Sequence, residues 1–481
     1  MPRRTKIVAT LGPATDGEGV LDGLVRAGVD VVRLNFSHGD AAGHERRAAA
    51  SRAAARAAGR DVAILADMQG PKIRTGGFAH GPITLSEGAR FTLDTSLADD
   101  AGTDEAVGVT YEQLPRDVAA GDVLLLDDGQ LSLRVEAVEG PRVHCRVDVG
   151  GQLSDHKGIN RLGGGLTAQA LTDKDREDIK VAARLGVDFV AISFPRDAAD
   201  VEKARELVRA AGSEAGIVAK IERSEAVDNI EAVLTAADVA MIARGDLAVE
   251  IGYAELPGVQ KRIVRLAREL DRVVITATQM MESMIENPVP TRAEVLDVAN
   301  AVMDGTDAVM LSAETAAGRY PVKTVEAMAR VCEGAERQHS APEAALQRFE
   351  RPFSRIDEAI AMAAAFTANH LDAKAIVTLT ESGSTPLWIS RVRSNTPIYA
   401  LTRFDTTRRR VTLYRGVHPI AFDIMHANPD HVLQAAADTL LEHEALATGD
   451  LVVFTKGDFT GVAGGTNSLK VLRIGDPSFA G

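Results

Sequence analysis

Lys220 and Glu222 stand two residues apart in "IVAKIE", at the end of an apolar run. In an extended strand, residues two apart share a face. An ammonium and a carboxylate therefore emerge side by side where a buried strand ends. The next apolar run ends in Arg244, Gly245 and Asp246 of "VAMIARGD". Carboxylate oxygens from Glu222 and Asp246 suit a hard divalent cation such as magnesium. A lysine and an arginine beside that cation suit a phosphate or a carboxylate. Taken alone, this stretch reads equally well as a pair of surface salt bridges.

Groups of the same kinds recur where other short apolar runs end. "VDVVRLNFSH" supplies Arg33, Asn35, Ser37 and His38, and "DVAILAD" ends at Asp67. "VDFVAISF" ends in Ser193 and Phe194, "RVVITAT" in Thr278, and "TDAVMLSAET" carries Ser312 and Glu314. Helical patterns separate these runs, and with "KIVATLG" they make eight strand–helix units. That rhythm predicts an α/β fold built on a (β/α)8 TIM barrel, whose active site lies at the C-terminal strand ends. Acids, cations and hydroxyls gathered at one barrel mouth exceed what solvent-facing strand ends require.

The rhythm breaks after the third strand. Short alternating segments with Asp-Gly and Gly-Gly turns predict a small all-β insert. Its Asp127 and Asp128 belong to a hairpin turn unless the fold brings them to the site. The C-terminal part predicts an open α/β sheet. The expected organisation is residues 1–71 as the first part of the barrel and 72–156 as the insert. Residues 157–340 form the second part of the barrel, and 341–481 the C-terminal domain. A polar linker is expected over 338–352, and a helix from Pro429 to Glu444.

Composition narrows the function. The chain has 481 residues, 25% of them charged, and a formal net charge of −14. Such an acidic balance argues against nucleic acid or a membrane surface as partner. Cys145 and Cys332 make neither a disulfide framework nor a zinc site, which fits a reducing, cytoplasmic setting. No targeting signal is read at the start, and no apolar run reaches the roughly 18 residues of a membrane span. Positioned positive charge beside a dication is what phosphoryl transfer needs. No GxxxxGK[ST] loop occurs, so a nucleotide would be held otherwise than in a P-loop enzyme. Thr278, Ser312 and Glu314 offer a hydroxyl and carboxylate route for a proton.

"VVRLNFSHG", "GPKIR", "KGIN", "AKIE", "ARGDL", "TATQMMESM", "PTRAEVLDVANAVMDGTDAVMLSAET" and "GRYP" together resemble the pyruvate kinase family. The resemblance runs from residue 5 to about 335 and, more loosely, through the C-terminal domain. "MQGPKIR", "GINRLGGGL" and "LSAETAAG" are most similar to the bacterial type II form. It implies transfer of the phosphoryl group of phosphoenolpyruvate to ADP, giving pyruvate and ATP. By that resemblance Lys220 stabilises the migrating phosphoryl and Arg33 contacts the substrate phosphate. Gly245, Asp246 and Thr278 bind the substrate carboxylate and its neighbours. Glu222 and Asp246 hold one Mg2+, and a second arrives with the nucleotide. Asn35, Phe36, Ser37, His38, Arg74 and Lys157 line the ADP/ATP site, and the insert is a small β-barrel lid that closes on the nucleotide. Thr278, with Ser312 and Glu314 behind it, lies on the route that protonates the enolate.

Potassium-dependent members of the family carry a glutamate where this chain has Lys72. They hold the ion with residues matching Asn35, Ser37 and Asp67 and the carbonyl of Met68. The Lys72 ammonium is expected to supply that charge, so that K+ is not required. "TLTESGSTP" resembles an effector loop. Thr380, Ser382, Gly383, Ser384 and Thr385 would hold a phosphorylated effector, a sugar phosphate or AMP, at a helix start. The family also implies a homotetramer. Replacement of the family's "NLPG" by "NRLGGG" suggests a looser hinge. A magnesium-dependent lyase on a similar barrel and a catalytically dead relative are the competing readings. Structural roles are expected for Thr291 with Glu294 as a capping box, for the methionines of "QMMESM" as packing, and for Trp388, His418 and His426.

Overall fold

The computed structural model describes residues 2–338, 353, 355–392, 394–424, 431–457 and 464–476. The polar linker expected after Gln338, the start of the helix expected from Pro429, and His426 lie outside the described residues. Eight parallel strands close a barrel. They are β1 (Lys6–Leu11), β2 (Val31–Asn35), β3 (Ala63–Asp67), β4 (Phe189–Ile192), β5 (Gly216–Ile221), β6 (Val239–Ala243), β7 (Val273–Ala277) and β8 (Ala308–Leu311). Around the barrel their order is β1-β8-β7-β6-β5-β4-β3-β2. Nearly every residue of these strands is buried, as expected where both faces of a parallel strand are covered.

The chain falls into two compact units. One comprises Met1–Ala66, Leu185–Phe189 and Val264–Gly481; the other comprises Asp67–Arg184 and Val190–Ile263. In the second unit the insert, together with the strand Ile159–Arg161 just beyond its expected end, forms a six-stranded sheet with Ile159–Arg161 at one edge and Ala106–Gly108 at the other. A two-stranded ribbon pairs Gly151–Leu153 with Ile83–Leu85. Their inward residues, among them Phe91, Leu124, Leu133 and Val147, share one apolar core. In the first unit the C-terminal sheet has five strands ordered Val417–Ala421, Ile398–Thr402, Ala375–Leu379, Leu451–Gly457 and Thr466–Arg473. All pair in parallel except the last.

Local chemistry sets several boundaries. Gly28 closes the helix Val20–Ala27 with φ of 108°, a conformation glycine adopts without a Cβ penalty. Thr291 and Glu294 form a reciprocal capping box at the helix Arg292–Asp304. Met280, Met281 and Met284 are fully buried packing residues, and Cys145 and Cys332 are buried free thiols. Two expectations need correction. The single helix read after β5 is two, Ser224–Asp228 and Ile230–Ala236. Arg244, Gly245 and Asp246 are the first turn of the helix Arg244–Ile251 rather than the end of a strand. Ala243, at φ −90° and ψ 81°, leaves the extended region and ends the strand there.

One buried ion pair ties much of the first unit together. Arg391, the last residue of the helix Ser384–Arg391, meets Asp307 with both side chains 1% exposed. Arg391 Nη1 donates to Asp307 Oδ2 at 2.9 Å and to the Arg272 carbonyl at 2.6 Å. Asp307 also accepts from the amides of Val274 at 2.9 Å and Arg415 at 3.1 Å. Breaking a pair of this kind strands a buried charge, at a cost of about 3–5 kcal/mol. Arg391→Met alone should lower unfolding stability by that order. Arg391→Met with Asp307→Leu should recover part of the loss, because neither charge is then left alone. Denaturant unfolding of both variants checks this, and additive losses would contradict it.

Candidate active site

The second unit gathers the lysine and the acids. Lys220, at the end of β5, places its ammonium 2.9 Å from Glu222 Oε1 and 3.4 Å from Asp67 Oδ1. It also donates to Ser193 Oγ at 2.7 Å. Ser193 in turn donates to the Met68 carbonyl at 2.8 Å. Asp67 and Glu222 are each 1% exposed. A cation fixed by three oxygens has little freedom to reorient. The alternation of β5 puts Lys220 and Glu222 on one face, as their spacing predicts.

Glu222 is set by a second contact. Its Oε2 accepts the Phe194 amide at 2.8 Å, and Phe194 has φ of 57°. Left-handed backbone at a bulky residue is a local strain that persists only where its surroundings enforce it. Burial pushes the Glu222 carboxyl upward; Lys220 opposes this and the Asp246 charge adds to it. A buried carboxylate whose proton affinity is raised further by a second carboxylate fits a site for a dication, which would offset that charge. Among the described residues no cluster of three or more His, Cys, Asp or Glu forms a ready-made metal site. Any ion here would need further oxygens from its substrates.

Lys72 is the contact that sequence spacing did not reveal. Its Nζ lies 3.0 Å from Asp246 Oδ1 and 3.9 Å from Asp128 Oδ1. Lys157 pairs with Asp127 at 2.9 Å. The hairpin acids of the insert are thus in contact with two cations of the candidate site. Arg74 donates to the His156 carbonyl at 2.9 Å. An open cleft of about 360 Å³ is lined by Lys72, Phe194, Asp246 and Glu250, among others.

The first unit holds the remaining candidates. Arg33, in β2, donates to Thr10 Oγ1 at 3.0 Å, and Thr10 donates to the Leu311 carbonyl at 2.8 Å. Asn35 Oδ1 accepts the Ser37 amide at 3.1 Å, and Phe36 stacks on His44 at 4.2 Å. Ser37 and His38 are exposed. Thr278 has φ of 67° and Gln279 has φ of 53°, so strain is again stored where β7 ends. Thr278 Oγ1 donates to the Ala277 carbonyl at 2.6 Å. Glu314 is buried, and its two oxygens accept the amides of Met281 at 3.2 Å and Ser312 at 2.6 Å. Burial raises its proton affinity against those hydrogen bonds. In the loop before Ser384, the Gly383 amide donates to Thr380 Oγ1 at 3.0 Å. Ser382 and Ser384 hydroxyls pair at 2.9 Å, and Thr385 pairs with Thr466 at 2.8 Å. Trp388 lies under the Arg355 guanidinium at 5.3 Å.

The family model "Pyruvate kinase, barrel domain" matches residues 2–325, and "Pyruvate kinase, alpha/beta domain" matches 358–472. Pyruvate kinase II of Salmonella typhimurium is 53% identical over 478 residues, covering 98% of this chain and 99% of that protein. A pyruvate kinase of Haemophilus influenzae is 54% identical, covering 95% of this chain and 96% of the relative. A crystal structure of a pyruvate kinase from Cryptosporidium parvum superposes with a TM-score of 0.93 at 35% identity, covering 98% of this chain and 96% of that one.

Glu250 generates a test of the cleft. It is 3% exposed, and its carboxylate accepts from Asn160 at 3.4 Å and from the Ser224 amide at 3.3 Å. Burial pushes its pKa up to about 7, with Arg223 opposing. Between the unfolded carboxyl's pKa and that value the folded state binds the extra proton. Stability therefore falls as pH rises through this window and levels off above it. Glu250→Gln should match the parent near pH 4.5 and exceed it at pH 8 by on the order of 2–3 kcal/mol. Urea unfolding at the two pH values measures the difference, and a pH-independent offset would contradict the assignment.

Proposed function

The chain belongs to the pyruvate kinase family, and from that premise we propose how its own residues divide the work. The reaction moves the phosphoryl group of phosphoenolpyruvate to ADP and yields pyruvate and ATP. An ADP β-phosphate oxygen forms the new bond to phosphorus while the bond to the enol oxygen breaks. The enolate then takes a proton at its methylene carbon.

In this reading Lys220 and Arg33 meet the equatorial oxygens of the migrating group, where negative charge spreads in the transition state. The observation that carries the assignment is the fixed ammonium of Lys220, bound at 2.7 Å by Ser193 and at 2.9 Å by Glu222. A charge held before the reaction needs no reorganisation during it. Gly245, Asp246 and Thr278 take the carboxylate end of the substrate. Thr278 delivers the proton, with Ser312 and the amide-anchored Glu314 behind it.

The family uses a divalent cation; we assign Mg2+, held by Glu222 and Asp246, with a second ion carried by the nucleotide. When bound, that ion supplies positive charge against the phosphoryl oxygens. Asn35, Phe36, Ser37, His38, Arg74 and Lys157 hold ADP, and the insert 72–156 closes over it as a lid. Residues 341–481 form a domain for effector binding at Thr380–Thr385 and for assembly as a homotetramer in the cytoplasm. Among the described residues no helix is long and apolar enough to cross a membrane.

Two measurements test these roles. Lys220→Met should lower kcat by several orders of magnitude with a small change in KM, because the lost charge acts in the transition state. Near-normal turnover would remove Lys220 from the mechanism. Lys72 already presents an ammonium 3.0 Å from Asp246, so activity in a sodium or tetramethylammonium buffer free of potassium should be close to maximal. Lys72→Glu should make the enzyme potassium-dependent. A large loss in the unsubstituted enzyme, restored by potassium, would end that reading.

A further inference from the structure

Asp175 stands in the first turn of the helix Asp173–Leu185 and is fully buried, which is rare for an acid. Its two oxygens have separate tasks. Oδ2 accepts the Thr172 amide at 2.8 Å and the Thr172 hydroxyl at 2.7 Å. The Asp175 amide donates back to Thr172 Oγ1 at 3.1 Å. This is a reciprocal helix cap, and one carboxylate oxygen completes it. Oδ1 instead accepts the amide of Gly70, 105 positions away in the chain, at 3.1 Å. A helix start has no need of that contact.

Gly70 lies in the segment Met68–Ile73, which carries Lys72. The beginning of this segment is held without Asp175. The Met68 amide donates to the Ala191 carbonyl at 2.9 Å, and the Met68 carbonyl accepts from Ser193 Oγ at 2.8 Å. The far end is held at Ile73, whose carbonyl accepts the Ile159 amide at 2.9 Å. Between these points Asp175 anchors the Gly70 amide, and Gly70 has φ of 68°. Pro71 follows, with no amide hydrogen and with φ fixed by its ring. The direction set at Gly70 is therefore passed to Lys72, whose ammonium lies 3.0 Å from Asp246 Oδ1.

We propose that Asp175 is a positioning residue for Lys72. Its Oδ1 fixes the backbone at Gly70, Pro71 carries that direction forward, and the Lys72 ammonium is thereby kept on Asp246. An amide bonded to a carboxylate is held about twice as strongly as one bonded to a neutral acceptor. Asparagine cannot do the same work. It has one acceptor oxygen, so its NH2 group would face either the Gly70 amide or the two Thr172 donors. The inference rests on the reading of Lys72 as the residue that supplies the charge beside Asp246, and it adds the group that holds Lys72 there.

The test is a double-mutant cycle on kcat, with phosphoenolpyruvate and ADP saturating in a potassium-free sodium buffer. Asp175→Asn should lower kcat by about tenfold to a hundredfold, the scale expected when a charge near the chemistry is misplaced. Lys72→Met should lower it at least as far. In the Lys72→Met background Asp175→Asn should cost little more, because the residue it acts through is already gone. Thr172→Val removes the capping hydroxyl and leaves Oδ1 to Gly70. It should lower the unfolding temperature and keep the parent kcat. The proposal is overturned if Asp175→Asn keeps the parent kcat, if the two losses multiply in full, or if Thr172→Val loses as much turnover as Asp175→Asn. Those results leave the Lys72 reading intact. Parent-like turnover of Lys72→Met overturns that reading and the inference with it. Amide exchange of the parent enzyme decides the matter even if Asp175→Asn does not fold. The Gly70 amide should exchange far more slowly than an exposed loop amide, and free exchange overturns the proposal.

Discussion

Removing Lys220, Glu222 and Asp67 from water is the constraint around which the second unit is built. Desolvating each ion costs several kcal/mol, and mutual attraction repays this only with good geometry and satisfied hydrogen bonds. The fold supplies both. Ser193 spans the Lys220 ammonium and the Met68 carbonyl, and the strained Phe194 amide holds Glu222. Gly70 makes room for this bracket: a Cβ there would lie 2.6 Å from Ser193 Cβ, and its φ of 68° is one that side chains disfavour. The strain at Phe194 and the missing side chain at Gly70 serve the same end. They place an amide and a hydroxyl where two buried charges need them.

The amino-acid order made much of this legible, for identifiable reasons. Strands covered on both faces read as unbroken apolar runs, and a period of two put Lys220 and Glu222 on one side of β5. Both signals are local. The turn at Ala243, which starts a helix at Arg244, is set by backbone angles that apolar patterning does not register. Lys72 and Asp246 are 174 positions apart, and no periodicity joins them. Asp127 and Asp128, in the loop that joins the paired strands Val123–Leu126 and Leu131–Glu139, have φ of 51° and 54°, left-handed angles that aspartate tolerates. Turn chemistry identifies the hairpin but not the cations it reaches. Ser193 and Phe194 were visible as a strand end. Their roles as holders of Lys220 and Glu222 emerge only with distances.

The glycine triplet that suggested a looser hinge bears on how the insert could move. Gly163, Gly164 and Gly165 have φ of 84°, 76° and 94°, so each position needs the freedom that glycine provides. Yet the segment is tied. The Gly163 amide donates to the Glu250 carbonyl at 2.8 Å, and the Gly165 amide donates to Glu225 Oε1 at 2.6 Å. Arg161 donates to the Gly164 carbonyl at 2.9 Å and pairs with Asp122 at 2.9 Å. Glu250 lies in the same short helix, Arg244–Ile251, that carries Asp246 in its first turn. The segment just after the insert and a proposed metal ligand are thus fastened to one helix of about two turns. If the insert swings as we propose, its hinge pulls on the helix that presents Asp246, and Lys72, itself 3.9 Å from Asp128, pairs with Asp246 at 3.0 Å. Closing over a nucleotide and setting the charge around the phosphoryl group would then be one mechanical event. Glycines that look like slack in the chain would act as a defined joint, because their amides have partners in a single conformation.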